Sequence, residues 1–153
     1  MRTTNMKAML FLAAAALVGC APEEKSLSVQ KLEASELHEL GTSCAGPFVA
    51  FDNENLVINK NGKSEIILKD VKFADIGGGG ITITTKSGAF SMVSRFHLNH
   101  EETVLSFDSL SFDPKLTAEL LAEMGLEPGF EERMDRTMRK AFPPLVLCPK
   151  TTT

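Results

Sequence analysis

At 153 residues the chain has the length of one ordinary domain, enough to bury a core without a metal to staple it. Its 16 Lys and Arg face 20 Asp and Glu for a net charge of −4, and without Arg2 and Lys7 the balance falls to −6, which argues against nucleic acid as a partner. Tyr and Trp are absent, which removes the residues that commonly anchor sugars and protein hot spots, and the ten phenylalanines mostly fit core alternation.

At the N-terminus, Arg2 and Lys7 precede an uncharged apolar run from Ala8 to Val18. That run is too short for a mature span of about 20 apolar residues and has the layout of a secretory signal. It closes on Leu17-Val18-Gly19-Cys20, which resembles the lipobox of bacterial lipoproteins. The resemblance implies diacylglycerol on the Cys20 thiol, cleavage just before it, and commonly a further acyl chain on the new amino group. Several chains anchor firmly, because each buried methylene contributes about 0.8 kcal/mol. The expected organisation is a signal peptide over 1–19, a lipidated tether over 20–26 and a single globular domain over 27–150. Ala21 stands where an aspartate often retains lipoproteins in the inner membrane, so the periplasmic face of the outer membrane is favoured. Met6-Lys7 opens a complete signal by itself, leaving the start at Met1 or Met6 open.

With Cys20 lipidated, Cys44 and Cys148 remain as an even pair in a compartment that permits oxidation, and a disulfide between them is expected. Neither belongs to a C-x-x-C pair, which disfavours a redox role.

From Leu27 to Leu40, the residues Val29, Leu32, Leu37 and Leu40 fall on one side of a 3.6-residue repeat, with Gly41 as a C-terminal cap; this predicts a helix. Partial alternation over Ser26 to Leu32 leaves an extended first turn as the other reading. From Pro47 the period becomes two. Strands are predicted at Phe48 to Phe51, Leu56 to Asn59, Glu65 to Leu68, Val71 to Asp75, Ile81 to Thr85, Ala89 to Leu98 and Thr103 to Phe107. Asn61-Gly62 is the pair best suited to positive φ in a tight hairpin. In the longest of these segments Phe90, Met92, Phe96 and Leu98 share one face, Ser91, Arg95 and His97 the other, with Val93 and Ser94 as exceptions. Two helices should follow. Asp113-Pro114 reads as a cap and first position, Leu116, Leu120, Leu121 and Met124 as a stripe, and Gly125-Leu126 as a left-handed stop. The second carries Glu131 and Glu132 early, Arg139 and Lys140 late, and an apolar side of Phe130, Met134, Met138 and Phe142 before Pro143-Pro144. Leu145 to Cys148 is a short apolar run that a disulfide pins near the start of the sheet.

Several clusters carry residue types suited to chemistry. His97, His100, Glu101 and Glu102 are metal-ligand types, but a strand end points His97 and His100 to opposite faces, so a solvated hairpin is the better reading. Gly77 to Gly80 leads into the strand Ile81-Thr82-Ile83-Thr84 rather than a helix and lacks a P-loop lysine, which favours a hairpin connection over an anion cradle. There is no G-x-S-x-G elbow, and His38, His97 and His100 show no local arrangement with a serine and an acid. The carboxylate pairs at Glu23-Glu24, Glu101-Glu102 and Glu131-Glu132 fit tether, turn and helix N-terminus. No catalytic residue, metal or cofactor is assigned.

The expected fold is α+β: an antiparallel meander of about six strands, with an N-terminal helix and two C-terminal helices packed on it; a small β-barrel is the alternative. The expected role is a non-enzymatic envelope accessory, bound to the membrane through Cys20, that binds another envelope protein. Two alternatives stand beside it. Ser87-Gly88-Ala89 is similar to the start of a loop motif in membrane-bound lysozyme inhibitors, which implies an envelope defence role; the likeness ends there, with Phe90 near the place of an expected aromatic hydroxyl. The other is a carrier of an apolar ligand, which needs the sheet to curl around a cavity.

Overall fold

The computed structural model describes residues 25–150. In chain order they form α1 (Leu27–Glu33), β1 (Ser35–Glu39), β2 (Phe48–Asp52), β3 (Asn55–Lys60), β4 (Lys63–Leu68), β5 (Lys72–Gly77), β6 (Gly80–Ser87), β7 (Phe90–Leu98), β8 (Val104–Asp113), α2 (Ala118–Glu123), α3 (Phe130–Ala141) and β9 (Leu145–Pro149). An antiparallel sheet with three helices is an α+β arrangement, but the sheet has nine strands rather than about six, in the order β4-β3-β2-β1-β9-β8-β7-β6-β5. The signal segment, Cys20 and Glu23-Glu24 lie outside the described residues.

That order dictates the shape of the sheet. Strands β4 and β5 stand at opposite edges, yet only residues 69–71 separate them in the chain. Eight inter-strand steps across a flat sheet span roughly 38 Å. The linker reaches at most about 14 Å. The sheet must therefore curl until its edges approach one another. No ladder joins β4 to β5, so the barrel alternative is approached without closing. The linker is tied down where Val71 N–H donates to Glu54 O at 2.7 Å, and α1 packs against both β2 and β5 with Val29 and Leu32 buried.

The predicted helix over 27–40 is corrected: it ends at Glu33, and Ser35–Glu39 is a strand. Ser26 caps α1, accepting from Val29 N at 3.3 Å. Beyond Ala34 the chain pairs on both sides, with β2 and with β9, and this ladder overrides the helical spacing of Leu37 and Leu40. The second correction concerns Asp113-Pro114, which ends β8 with a cis peptide bond instead of capping a helix. The cap of α2 is Thr117, whose hydroxyl accepts from Leu120 N at 3.3 Å. Gly125 at φ 66° does stop that helix, with Leu126 N donating to Leu121 O. However, α2 buries none of its own residues, and of the predicted stripe Leu116, just before the helix, is the one member that is buried.

The hairpins form where the turn chemistry placed them. Asn61 and Gly62 take φ of 55° and 74° between β3 and β4, the conformation a two-residue turn of this kind needs. Between β5 and β6, Gly79 lies so close to β7 that an added Cβ would sit 2.9 Å from Leu98 O, while Leu98 N donates to Gly79 O at 2.8 Å. The glycine run thus serves a close backbone approach. Strand β9 joins the sheet between β1 and β8, and Cys148 meets Cys44 at disulfide distance, with Cα atoms 5.9 Å apart.

Candidate functional site

Because the sheet curls, its inner face surrounds space. A cavity of about 110 Å³ lies there, with residues from every strand except β5 in its wall, among them Leu37, Phe51, Leu56, Ile83 and Leu105. Met138 of α3 and Phe142 just beyond it close the open side. Small barrels fill with side chains or leave room for one small ligand, and here the apolar side chains of a nearly closed sheet leave a gap. A surface groove of about 300 Å³ adjoins the cavity and shares Leu37, Val49, Ile67, Phe142 and Leu145 with it. Its rims are Pro47 and Phe48 on one side, after the loop held by Cys44, and Ala141 to Pro143 on the other. Leu40 N donates to Pro144 O at 2.9 Å, joining the chain after β1 to the turn after α3.

The lid is docked by one carboxylate. Asp135 on α3 accepts from Leu110 N of β8 at 2.7 Å and from Arg139 Nε at 2.8 Å. Burial works to raise its pKa, but the Arg139 and Leu110 hydrogen bonds together with the Arg139 charge outweigh it and hold the carboxyl below its ordinary value. The Arg139 guanidinium also stands 5.8 Å from the centre of the Phe107 ring, which packs edge-on to Phe96.

The inner wall carries two polar side chains. Thr85 and Ser94 are each 6 % exposed, both line the cavity, and neither hydroxyl has a hydrogen-bond partner among the described residues. In the β6–β7 ladder Ile83 pairs with Ser94 and Thr85 with Met92, so the hydroxyls are diagonal neighbours on one face. Alternation along the seventh strand gave the signal for Ser94, the polar exception on its apolar face. Thr85, in the inward series Ile81, Ile83, Thr85, was missed because threonine is ordinary in a strand.

The candidate metal-ligating and catalytic residues are dispersed. His97 points away from the cavity and pairs through Nδ1 with Asp108 Oδ1 at 2.5 Å. His100 is exposed in the following turn, and Glu102 reaches instead to Ser28 Oγ and Lys31 Nζ on α1 at 3.2 and 3.5 Å. Ser106 lies opposite His97 in register, without a hydrogen bond to it among the described residues. No group of three or more His, Cys, Asp or Glu is placed to hold a metal among the described residues. Glu131 and Glu132 occupy the first turn of α3, Arg139 and Lys140 its last, and Gly88-Ala89 makes the tight turn between β6 and β7.

On the outer face of β1, opposite Leu37, lies a pair that sequence patterning did not single out. His38 is 1 % exposed, its Nε2 is 3.4 Å from Glu36 Oε2, its ring is 5.3 Å from that of Phe48, and its Nδ1 has no partner among the described residues. It sits beside the seam with β9, away from the cavity.

No known protein family, curated protein or solved structure matches this chain.

Proposed function

We propose that this is a lipid-anchored envelope protein, tethered through Cys20, whose domain binds an apolar chain inside its curled sheet. The observation that carries the binding role is the cavity of about 110 Å³ with a groove of about 300 Å³ beside it, both lined mainly by apolar side chains. Ligand sites are concave and largely apolar, with a few placed polar groups, and together these spaces have that character. The anchor reading rests on the charge, apolar run and lipobox of the first twenty residues. No helix among the described residues is long and apolar enough to cross a membrane.

The test is extraction of protein purified from its native envelope, with mass spectrometry of the organic phase. An apolar compound should be enriched over a variant carrying Ile83→Trp, which fills the cavity while keeping the surface. Equal recovery from both proteins rejects the binding role. Independently, Cys20→Ala should abolish incorporation of labelled palmitate; continued incorporation rejects the anchor.

A further inference from the structure

The cavity differs chemically from the groove beside it. The residues it shares with the groove come from β1, β2, β4, the end of α3 and β9, whereas Thr85 and Ser94, on β6 and β7, line the cavity and not the groove. Each hydroxyl can donate one hydrogen bond and accept others; both residues are more than nine-tenths buried, and neither hydroxyl has a protein partner among the described residues. Leaving such groups in an apolar wall is unfavourable unless something meets them. The cavity lining contains no charged residue, and the one ionisable side chain along the groove is the carboxylate of Glu39. No cation therefore awaits an anionic head anywhere along the path, and an ionised group carried into this wall would lose its solvation uncompensated.

We infer that the site takes a neutral amphiphile, a long-chain alcohol, amide or ester, bound with its uncharged polar end inward against Thr85 and Ser94 and its alkyl tail along the groove. This rests on the apolar-ligand reading above and adds the chemistry of the head and its orientation. The enclosed space holds about four groups of the size of a water or methylene, enough for a small head and its first carbons. The tail continues past Ile67 and Phe142 into the groove, where Phe48 and Ile58 offer further apolar wall. A carboxylate head is disfavoured twice, by the uncharged inner wall and by Glu39 along the groove.

Photolabelling of the full lipidated chain in phosphatidylcholine vesicles tests this with three hexadecyl probes that carry the same diazirine and alkyne and differ only at the end: alcohol, carboxylic acid and plain alkane. Labelling is read on peptides covering 80–95 at neutral pH and scaled by each probe's measured content in the vesicle, so that partition cancels between probes as well as between variants. In the double variant Thr85→Val with Ser94→Ala, alcohol labelling should fall about tenfold, the loss expected for one or two modest hydrogen bonds, while alkane labelling stays within about twofold. In wild type the acid should label less than the alcohol. Unchanged alcohol labelling in the double variant, or acid labelling above alcohol, overturns the inference while leaving an apolar site intact. Failure of all three probes to label wild type overturns the apolar-ligand reading as well. If the double variant loses the alkane too, Thr85→Ser and the near-isosteric Thr85→Val decide the matter: the first should keep alcohol labelling and the second lose it, and equal labelling of the two overturns the inference.

Discussion

The wing formed by β5 to β8 and the seam formed by β1 and β9 belong to one sheet but are held in different ways. In the wing each strand pairs with its neighbour in sequence through a short turn, so each contact closes a small loop. In the seam Glu36 pairs with Cys148, and the disulfide beside it closes a separation of 104 residues. Strand β9 then meets β8 through only two residue pairs, Val104 with Val146 and Leu105 with Leu145. The wing is stabilised by local pairing and the seam by a covalent clamp, and the cavity lies where the two meet.

Removing the clamp should give the largest effect. Replacing both cysteines by serine restores loop entropy to the unfolded chain, and the cost for a loop of this size falls in the range of about 2–5 kcal/mol. Denaturant unfolding measures it, and amide exchange should show β1 and β9 opening before β6 and β7. A midpoint equal to wild type would mean that packing alone holds the seam.

Two isoleucines on β6 sharpen the contrast between filled and unfilled interior. Ile81 is fully buried in the core, while Ile83, two residues on and facing the same way, borders the cavity. Ile81→Ala should cost about 3–4 kcal/mol, and Ile83→Ala less, about 2 kcal/mol, because fewer atoms surround it. Equal losses by thermal unfolding would show that the space beside Ile83 is as tightly packed as the core. A smaller loss, about 1 kcal/mol or more, is expected for Gly62→Val, which forces a β-branched residue to φ 74° in the β3–β4 turn. An unchanged melting temperature would place the turn elsewhere.

The same contrast explains what patterning can read. The wing strands were legible because a half-buried strand alternates and its turns carry Gly, Asn or Asp. Strand β1 was not: Ser35, Glu36, Leu37 and His38 are all buried, so alternation disappears, and Leu37 and Leu40 continue the spacing of α1 by coincidence. The far half of β8 was missed for another reason. A bulge at Asp108 shifts the register against Arg95 and Phe96, so the inward series passes from Leu105 and Phe107 to Leu110 and Phe112 and no single period spans the strand. The cavity itself is a property of curvature, which follows from pairing partners far apart in the chain and leaves no local mark. Only Ser94, out of place on an apolar face, hinted at it.

The smallest predicted effect tests the lid, where α3 meets the end of the wing. Asp135 has a depressed pKa in the folded protein, since the hydrogen bonds from Arg139 and Leu110 outweigh the effect of its burial. For a carboxylate the sign follows directly: the folded state binds this proton less readily than the unfolded chain does. The contribution is present above the ordinary carboxylate pKa and is lost as pH falls through the folded value. Protonation leaves Leu110 N with a weaker acceptor and removes the charge that Arg139 faces, so α3 should loosen before the β6–β7 ladder does. Asp135→Asn keeps an oxygen for Leu110 N but no ionisation. It should leave the protein slightly less stable at neutral pH and flatten the acid limb of its stability curve between the ordinary carboxylate pKa and the lower folded value. Asp75 provides the comparison within the wing. The Gly77 N–H, at 2.7 Å, and the Ser26 hydroxyl lower its pKa too, so an asparagine there should also blunt the acid limb, but without changing ligand access. If Asp135→Asn leaves both the acid limb and the labelling of the cavity by the alkane probe unchanged, the carboxylate does not hold the lid, and Met138 and Phe142 are kept over the cavity by apolar packing alone.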